Sequence, residues 1–316
     1  MTHSPPPGRP RARIPGPQQP PPPFPRIGAG LWRRCLKGGL ALWALTAVAA
    51  YTTRGVAPLP ALVLLGGFLI PVVFVLWAYE RHGRDLGVSA VLGCFLAGGA
   101  LGVPGAVLME AHLLHPSPGR FTGVALAEEA AKLGALVFAL RLQPGLRGAR
   151  AGLVLGAAVG LGFAAVESCA CAFDAVLLSD AADLRVVLET EFPRELLAPL
   201  GHGLWTAIAG AALLSQRRPN GHFRLAAPVV GTWLGVCVLH AAWDATRGVA
   251  GRLVTRVYGV EAVAPGPFGQ PYLPRTGAGQ EHLFTLLSAG GLALVALLGV
   301  AWVWSLRPGD AWRNTP

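Results

Sequence analysis

The chain has 316 residues, 53% of them hydrophobic and 13% charged, with a mean hydropathy of +0.51. So apolar a composition excludes an ordinary water-soluble domain and places the chain among polytopic membrane proteins. The net charge of +10 does not signal a nucleic-acid partner, because the bases follow alternate loops and not one binding face.

Residues 1–30 open the chain as a Pro-rich segment, with eleven prolines before residue 27 and no apolar periodicity. They read as a disordered, polyproline-like cytoplasmic tail. A bilayer core needs ~20 apolar residues per helix, and runs of that kind predict eight spans between 31 and 306. The first, 31–50, reads as a retained helix. What precedes it is too long and Pro-rich for a signal peptide, and no small-residue cleavage site follows. Spans at 57–79 and 88–108 are apolar throughout.

The next four spans carry ionisable residues. Span 121–140 holds Glu128, Glu129 and Lys132; span 151–173 holds Glu167; span 196–215 holds His202; span 225–246 holds His240 and Asp244. The segment 174–195 between two of them is acidic, yet Leu177, Leu178, Leu184, Val187 and Leu188 recur at helical intervals. That pattern predicts an amphipathic helix on the outer interface. Residues 247–282 are rich in Gly and Pro and read as a second outer loop, either a lid or a variable insertion. The last span, 283–306, leads into a cytoplasmic tail at 307–316. The five cysteines lie in or beside apolar segments and form no C-x-x-C, so they read as small core residues.

Charge fixes the expected orientation. With the termini and every second loop on one side, that side carries 17 Lys+Arg against 3 Asp+Glu, and the other carries 8 against 9. This positive-inside asymmetry puts both termini in the cytoplasm. The expected fold is therefore all-α: a polytopic transmembrane helical bundle of about eight helices in a multi-pass protein of the cell membrane.

A charged side chain at mid-bilayer costs roughly 2.5–3.5 kcal/mol on insertion scales, so such residues usually face one another inside a bundle. Counting 1.5 Å per residue, all four polar spans place their ionisable groups in the outer half of the membrane. Glu128 and Lys132 are i,i+4 and share a face, as do His240 and Asp244. A His–carboxylate pair fixes an imidazole tautomer, for catalysis or for metal binding. No G-x-S-x-G, P-loop or H-E-x-x-H is present. Carboxylates and imidazoles suit activation of a water for attack on a carbonyl, or binding of a divalent metal that lowers the water's pKa.

The residues carry a family resemblance. Leu126 to Lys132 reads L-A-E-E-A-A-K and resembles the EExxK motif of PrsW-type intramembrane proteases, relatives of the CAAX prenyl endopeptidases. Gly160 to Glu167, G-L-G-F-A-A-V-E, resembles their second motif. Arg194 followed by Pro199-Leu200-Gly201-His202 resembles the third, and His240 to Asp244 the fourth. The resemblance implies a membrane-embedded endopeptidase acting on a membrane-anchored protein, in the manner of site-1 cleavage of an anti-sigma factor. It implies catalytic roles for Glu128, Glu129, Glu167, His202, His240 and Asp244, with Lys132, Phe163 and Arg194 in support. Glu128 would be the base that activates water. A divalent metal such as zinc is compatible through Glu128, Glu167, His202, His240 and Asp244. The CAAX relatives have Asn where this chain has Asp244, and an ionised Asp repels an oxyanion. Asp244 is then protonated, turned to orient His240, or a metal ligand.

Two other classes use buried carboxylates and imidazoles: a proton- or metal-coupled transporter, and a non-catalytic membrane scaffold. A transporter of this kind predicts midplane sites and matching halves, whereas the polar groups here lie toward one side and no internal repeat is evident. A scaffold has no need of two adjacent glutamates.

Overall fold

The structure, a computed structural model, describes residues 28, 30–114, 120–178, 184, 187, 188, 194, 196–259 and 277–306. Among these residues the fold is all-α with no strand. The helices are α1 (Leu31–Thr53), α2 (Leu59–Ala78), α3 (Val88–Ala97), α4 (Val103–Leu113), α5 (Arg120–Leu140), α6 (Ala149–Leu178), α7 (His202–Ser215), α8 (Ala227–Tyr258) and α9 (Ala278–Ser305). A π-turn at Gly98–Gly102 joins α3 and α4 into one rod, and another at Tyr79–Gly83 extends α2. Each predicted span thus has its helix. Six helices are long and apolar enough to cross a membrane, which makes this a multi-pass membrane protein. α5 and α7 fall outside that group. The first carries Glu128, Glu129 and Lys132, all buried, and the second has only 14 residues.

Several predicted boundaries are corrected. α7 begins at His202, because residues Ala198–Leu200 form a 3-10 turn and Gly201 breaks the helical path with φ −101 and ψ −112. His202 is therefore the first residue of its helix. α6 runs on to Leu178, and α8 runs on to Tyr258, where Gly259 closes it in a left-handed conformation at φ 65. Hydropathy marks only where a helix leaves the hydrocarbon; nothing in the sequence before Gly259 stops α8. The expected outer loops at 174–195 and 247–282 thus begin as helix. Of the amphipathic helix, Leu184, Val187 and Leu188 are helical, and Val187 is buried against the cluster around Cys169 and Ala172. The tails 1–27 and 307–316 and the segment 260–276 lie outside the described residues.

Glycine holds the bundle together. In lipid no hydrophobic drive separates helix from helix, so close backbone approach at small residues does the packing. α6 presents Gly152, Gly156 and Gly160 on successive turns. A Cβ on each would run into the carbonyl oxygens of Gly210, Thr206 and His202 respectively, so α7 lies directly on that stripe. On another side of α6, a Cβ at Gly162 would strike the Phe95 carbonyl, and one at Gly98 would strike that of Val159. α2 closes a third side, where Gly67 meets Cys169 and the carbonyl of Ala165. α6 is accordingly the buried axis, and its contacts bring Glu167 beside the start of α7.

Two polar devices fix helix ends. The Glu80 carboxylate accepts the backbone N–H groups of Gly30 and Leu31 at 3.1 and 2.9 Å, an anion at the N-terminus of α1. Arg217, just past α7, donates to the carbonyls of Leu140, Gln143, Leu146 and Gly221 at 2.8–2.9 Å, and its guanidinium lies over the Phe223 ring. It adds a donor to the last carbonyl of α5 and ties the loop that follows to the turn after α7.

Candidate metal centre

The sequence puts Glu128, Glu129 and Lys132 on one turn of α5, and the fold turns that face inward. Glu129 and Lys132 are fully buried and Glu128 nearly so. Lys132 Nζ donates to Glu128 Oε2 at 3.0 Å, to Glu129 Oε1 at 2.8 Å and to His202 Nδ1 at 2.7 Å. An ammonium has three protons and no acceptor, so all three are used. Two carboxylates removed from water need such a counter-charge.

The histidine tautomers follow from their partners. A carboxylate accepts only, so a ring nitrogen hydrogen-bonded to one carries the proton. His240 Nδ1 lies 3.0 Å from Glu129 Oε1, which leaves Nε2 with its lone pair. For His202 the lysine decides: an ammonium only donates, so the Nδ1 it bonds at 2.7 Å carries the lone pair, and the proton is on Nε2, 3.0 Å from Glu167 Oε2. Glu167 Oε2 also meets Arg194 Nη2 at 2.9 Å. Arg194 therefore fixes the carboxylate that fixes His202.

The two unprotonated nitrogens, one of them bonded by Lys132, lie near one glutamate oxygen. His240 Nε2 is 3.7 Å and His202 Nδ1 3.8 Å from Glu128 Oε2, and the ligand atoms of Glu128, His202 and His240 all lie within 4.8 Å of one another. Ligands of a tetrahedral zinc, at about 2.1 Å from the ion, stand ~3.4 Å apart. Two histidines and a glutamate with an open fourth position is a known catalytic zinc set, and a carboxylate on the far nitrogen of each ligating histidine is its usual support. The residues fit a divalent metal by donor type, spacing and support.

Every site residue expected from the sequence is in this assembly, but some roles differ. Asp244 does not orient His240 through Nδ1; Glu129 does. Asp244 Oδ2 sits 3.5 Å from His240 Nε2, on the open side, with its side chain 27% exposed. Glu167 stands behind His202 and is not one of the three converging ligands. Phe163 packs on the site from α6, with Lys132 Nζ 4.1 Å above its ring and the His202 ring 5.5 Å away.

Two residues were missed. Glu110 reads as a loop acid in the sequence, but it belongs to α4, half-buried, on the inward face it shares with Gly102 and Ala106. Its charged neighbours are Glu128, Glu167, Asp244 and Arg120. Trp205 reads as one more apolar residue of a span, yet its ring contacts both histidines. The i,i+3 spacing from His202 was the available signal for it.

No curated protein and no solved structure is a match for the chain. A family model does match, described as PrsW family intramembrane metalloprotease, over residues 86–265. That stretch is more than half of the chain and contains every ionisable residue of the centre just described. With its helical fold and its converging Glu/His/His donors, this protein belongs to the PrsW family of intramembrane metalloproteases.

Proposed function

We propose that this membrane-embedded peptidase holds zinc through Glu128, His202 and His240, and cuts a membrane-anchored protein near the outer face of the cell membrane. The observation that carries the reading is the position of Glu128 Oε2. It is nearly equidistant from the unprotonated nitrogens of two imidazoles, each with its own carboxylate behind it. A divalent metal bound there supplies Lewis acidity, making water a nucleophile near neutral pH and polarising a peptide carbonyl.

The remaining residues divide the work. Asp244 is the partly exposed carboxylate beside the open position, 3.5 Å from His240 Nε2. It takes the proton of the attacking water as the oxygen bonds to the carbonyl carbon, and returns it to the amine as the C–N bond breaks. Glu128, the base by family resemblance, serves instead as an anionic ligand. Lys132 supplies the counter-charge of the glutamate pair, at 3.0 and 2.8 Å. The apolar walls from Phe163 and Trp205 exclude bulk water from the donors.

Charge asymmetry and the outer-half depth of the polar groups favour a cut on the outer side, with both termini in the cytoplasm. The substrate class that suits this geometry is a single-span regulatory protein such as an anti-sigma factor. The test is cleavage of single-span membrane substrates by detergent-purified wild type, Glu128→Gln and Asp244→Asn, with bound zinc measured on each. The reading expects Glu128→Gln to lose both zinc and cleavage, and Asp244→Asn to keep zinc while losing cleavage. Full cleavage by Glu128→Gln, or by wild type stripped of metal, overturns it.

A further inference from the structure

We propose that Trp205 is a positioning residue for the metal centre: its indole is the wall that holds the planes of both ligand histidines. The inference rests on the reading of Glu128, His202 and His240 as the set that holds the cation.

Trp205 lies on the first turn of α7, three residues after His202, and is fully buried. Its ring stacks on the imidazole of His240 with centroids 4.5 Å apart and planes 29° apart. Its edge meets His202 at 5.4 Å and 73°. The two imidazoles stand edge to face, 5.2 Å apart at 85°. Trp243, from the same helix as His240, closes the far side of the indole at 5.6 Å.

The need for such a wall follows from the hydrogen bonds. His240 is held at Nδ1 by Glu129 alone. One hydrogen bond fixes an axis but leaves the ring free to swing about it, carrying Nε2 out of the shared space. A flat aromatic face removes that freedom, because offset stacking favours one plane. The axis and the plane together aim Nε2 at Glu128. His202 is bounded by two rings as well, a tilted Phe163 at 5.5 Å and Trp205, which it meets edge to face at 5.4 Å. Only a two-ring side chain is wide enough to reach both histidines from this position. A phenyl ring keeps one contact, and a leucine fills volume without defining a plane.

A residue that merely fills the core would affect stability and nothing else. The test therefore reads the site apart from cleavage. Wild type, Trp205→Phe, Trp205→Leu and Trp302→Phe are purified as full chains in detergent. Zinc affinity is measured by competition with a chromophoric chelator, and cobalt is used as a spectroscopic probe of ligand geometry. Trp302 belongs to the same packed cluster as Trp205 but touches neither histidine. Trp205→Phe and Trp205→Leu are expected to bind zinc about tenfold more weakly or worse. Their cobalt band should be weaker and broader, and kcat should fall with little change in KM. Trp302→Phe should lose thermal stability alone. If both Trp205 variants bind zinc with wild-type affinity and give the wild-type cobalt spectrum, Trp205 is a core residue and the inference is overturned. Failure of the wild type to bind either metal overturns the metal reading itself, and this inference with it.

Discussion

Lys132 Nζ and His202 Nδ1 are hydrogen-bonded at 2.7 Å, so a lysine occupies the lone pair that a metal at this site requires. Lys132 neutralises Glu128 and Glu129, and a metal held through Glu128 would compete with it. Removing the lysine leaves two buried carboxylates without their cation, a change that costs about 3–5 kcal/mol. A divalent metal restores much of that charge and finds His202 already free. Lys132→Met should therefore melt well below wild type when metal-free and show a larger zinc-induced rise in Tm. Thermal unfolding in detergent, with and without zinc, checks this. Equal rises in the two proteins would mean that lysine and metal do not share the site.

Glu167 and Arg194 act on His202 from behind. Arg194 lies 2.9 Å from the same glutamate oxygen that sits 3.0 Å from His202 Nε2, so the carboxylate has a cationic or protonated nitrogen on two sides. Glu167→Gln keeps the shape but can present its amide N–H₂ to the imidazole, favouring the wrong tautomer. Loss of such a supporting carboxylate typically weakens metal binding 10–100-fold. The variant should remain folded, bind zinc more weakly in that range, and recover part of its cleavage at high zinc concentration. Chelator competition and activity against added zinc measure the two effects separately.

The sequence makes the polar helices legible because a charge in an apolar run is costly and hence conspicuous. Glu128, Glu129, Lys132, Glu167, His202, His240 and Asp244 could all be found that way. Trp205 could not, since in a membrane protein lipid-facing and inward-facing residues are both apolar and composition does not tell them apart. Glu110 was hidden by its place at the end of a span, where an acid normally belongs to a loop. The pairing of each histidine with its own carboxylate also escaped. His240 and Asp244 share a helix face, but the partner that holds Nδ1 comes from α5, and helical spacing contains no information across helices. The ends of α7 and α8 were misjudged because hydropathy records the bilayer and not the hydrogen bonds of the helix.

The glycine stripe of α6 separates packing from chemistry. At Gly152 and at Gly160 alike, a Cβ would meet a carbonyl oxygen of α7, from Gly210 and His202 respectively. Both substitutions to alanine must push the helices apart and should lower stability by a similar amount, about 1–3 kcal/mol for overpacking. Only Gly160→Ala moves the backbone of His202. Gly160→Ala should therefore lose at least tenfold more cleavage per folded molecule than Gly152→Ala, with zinc affinity falling in parallel. Equal activities at equal folded concentration would show that His202 is placed by its side-chain contacts alone.

Arg217 tests the opposite case, a buried charge far from the site. Its guanidinium joins the end of α5, the loop that follows it and the turn after α7, through four carbonyl oxygens and the face of Phe223. Truncation to alanine removes a donor from each; Leu140 and Gln143 keep backbone donors, while Leu146 and Gly221 lose the bond from Arg217, and an acceptor left without a donor costs about 1–3 kcal/mol unless water reaches it. Lysine retains the charge, but a single ammonium cannot span four acceptors fixed in the geometry of a planar fork. Both Arg217→Ala and Arg217→Lys should lower Tm, alanine the more, while zinc affinity and cleavage per folded molecule stay at wild-type values. The comparison is decisive because α5 and α7 carry Glu128 and His202 at positions remote from Arg217. If the lysine variant loses cleavage out of proportion to its folded fraction, the Arg217 ends of these helices set the spacing of Glu128 and His202, and the bundle transmits displacement along its length.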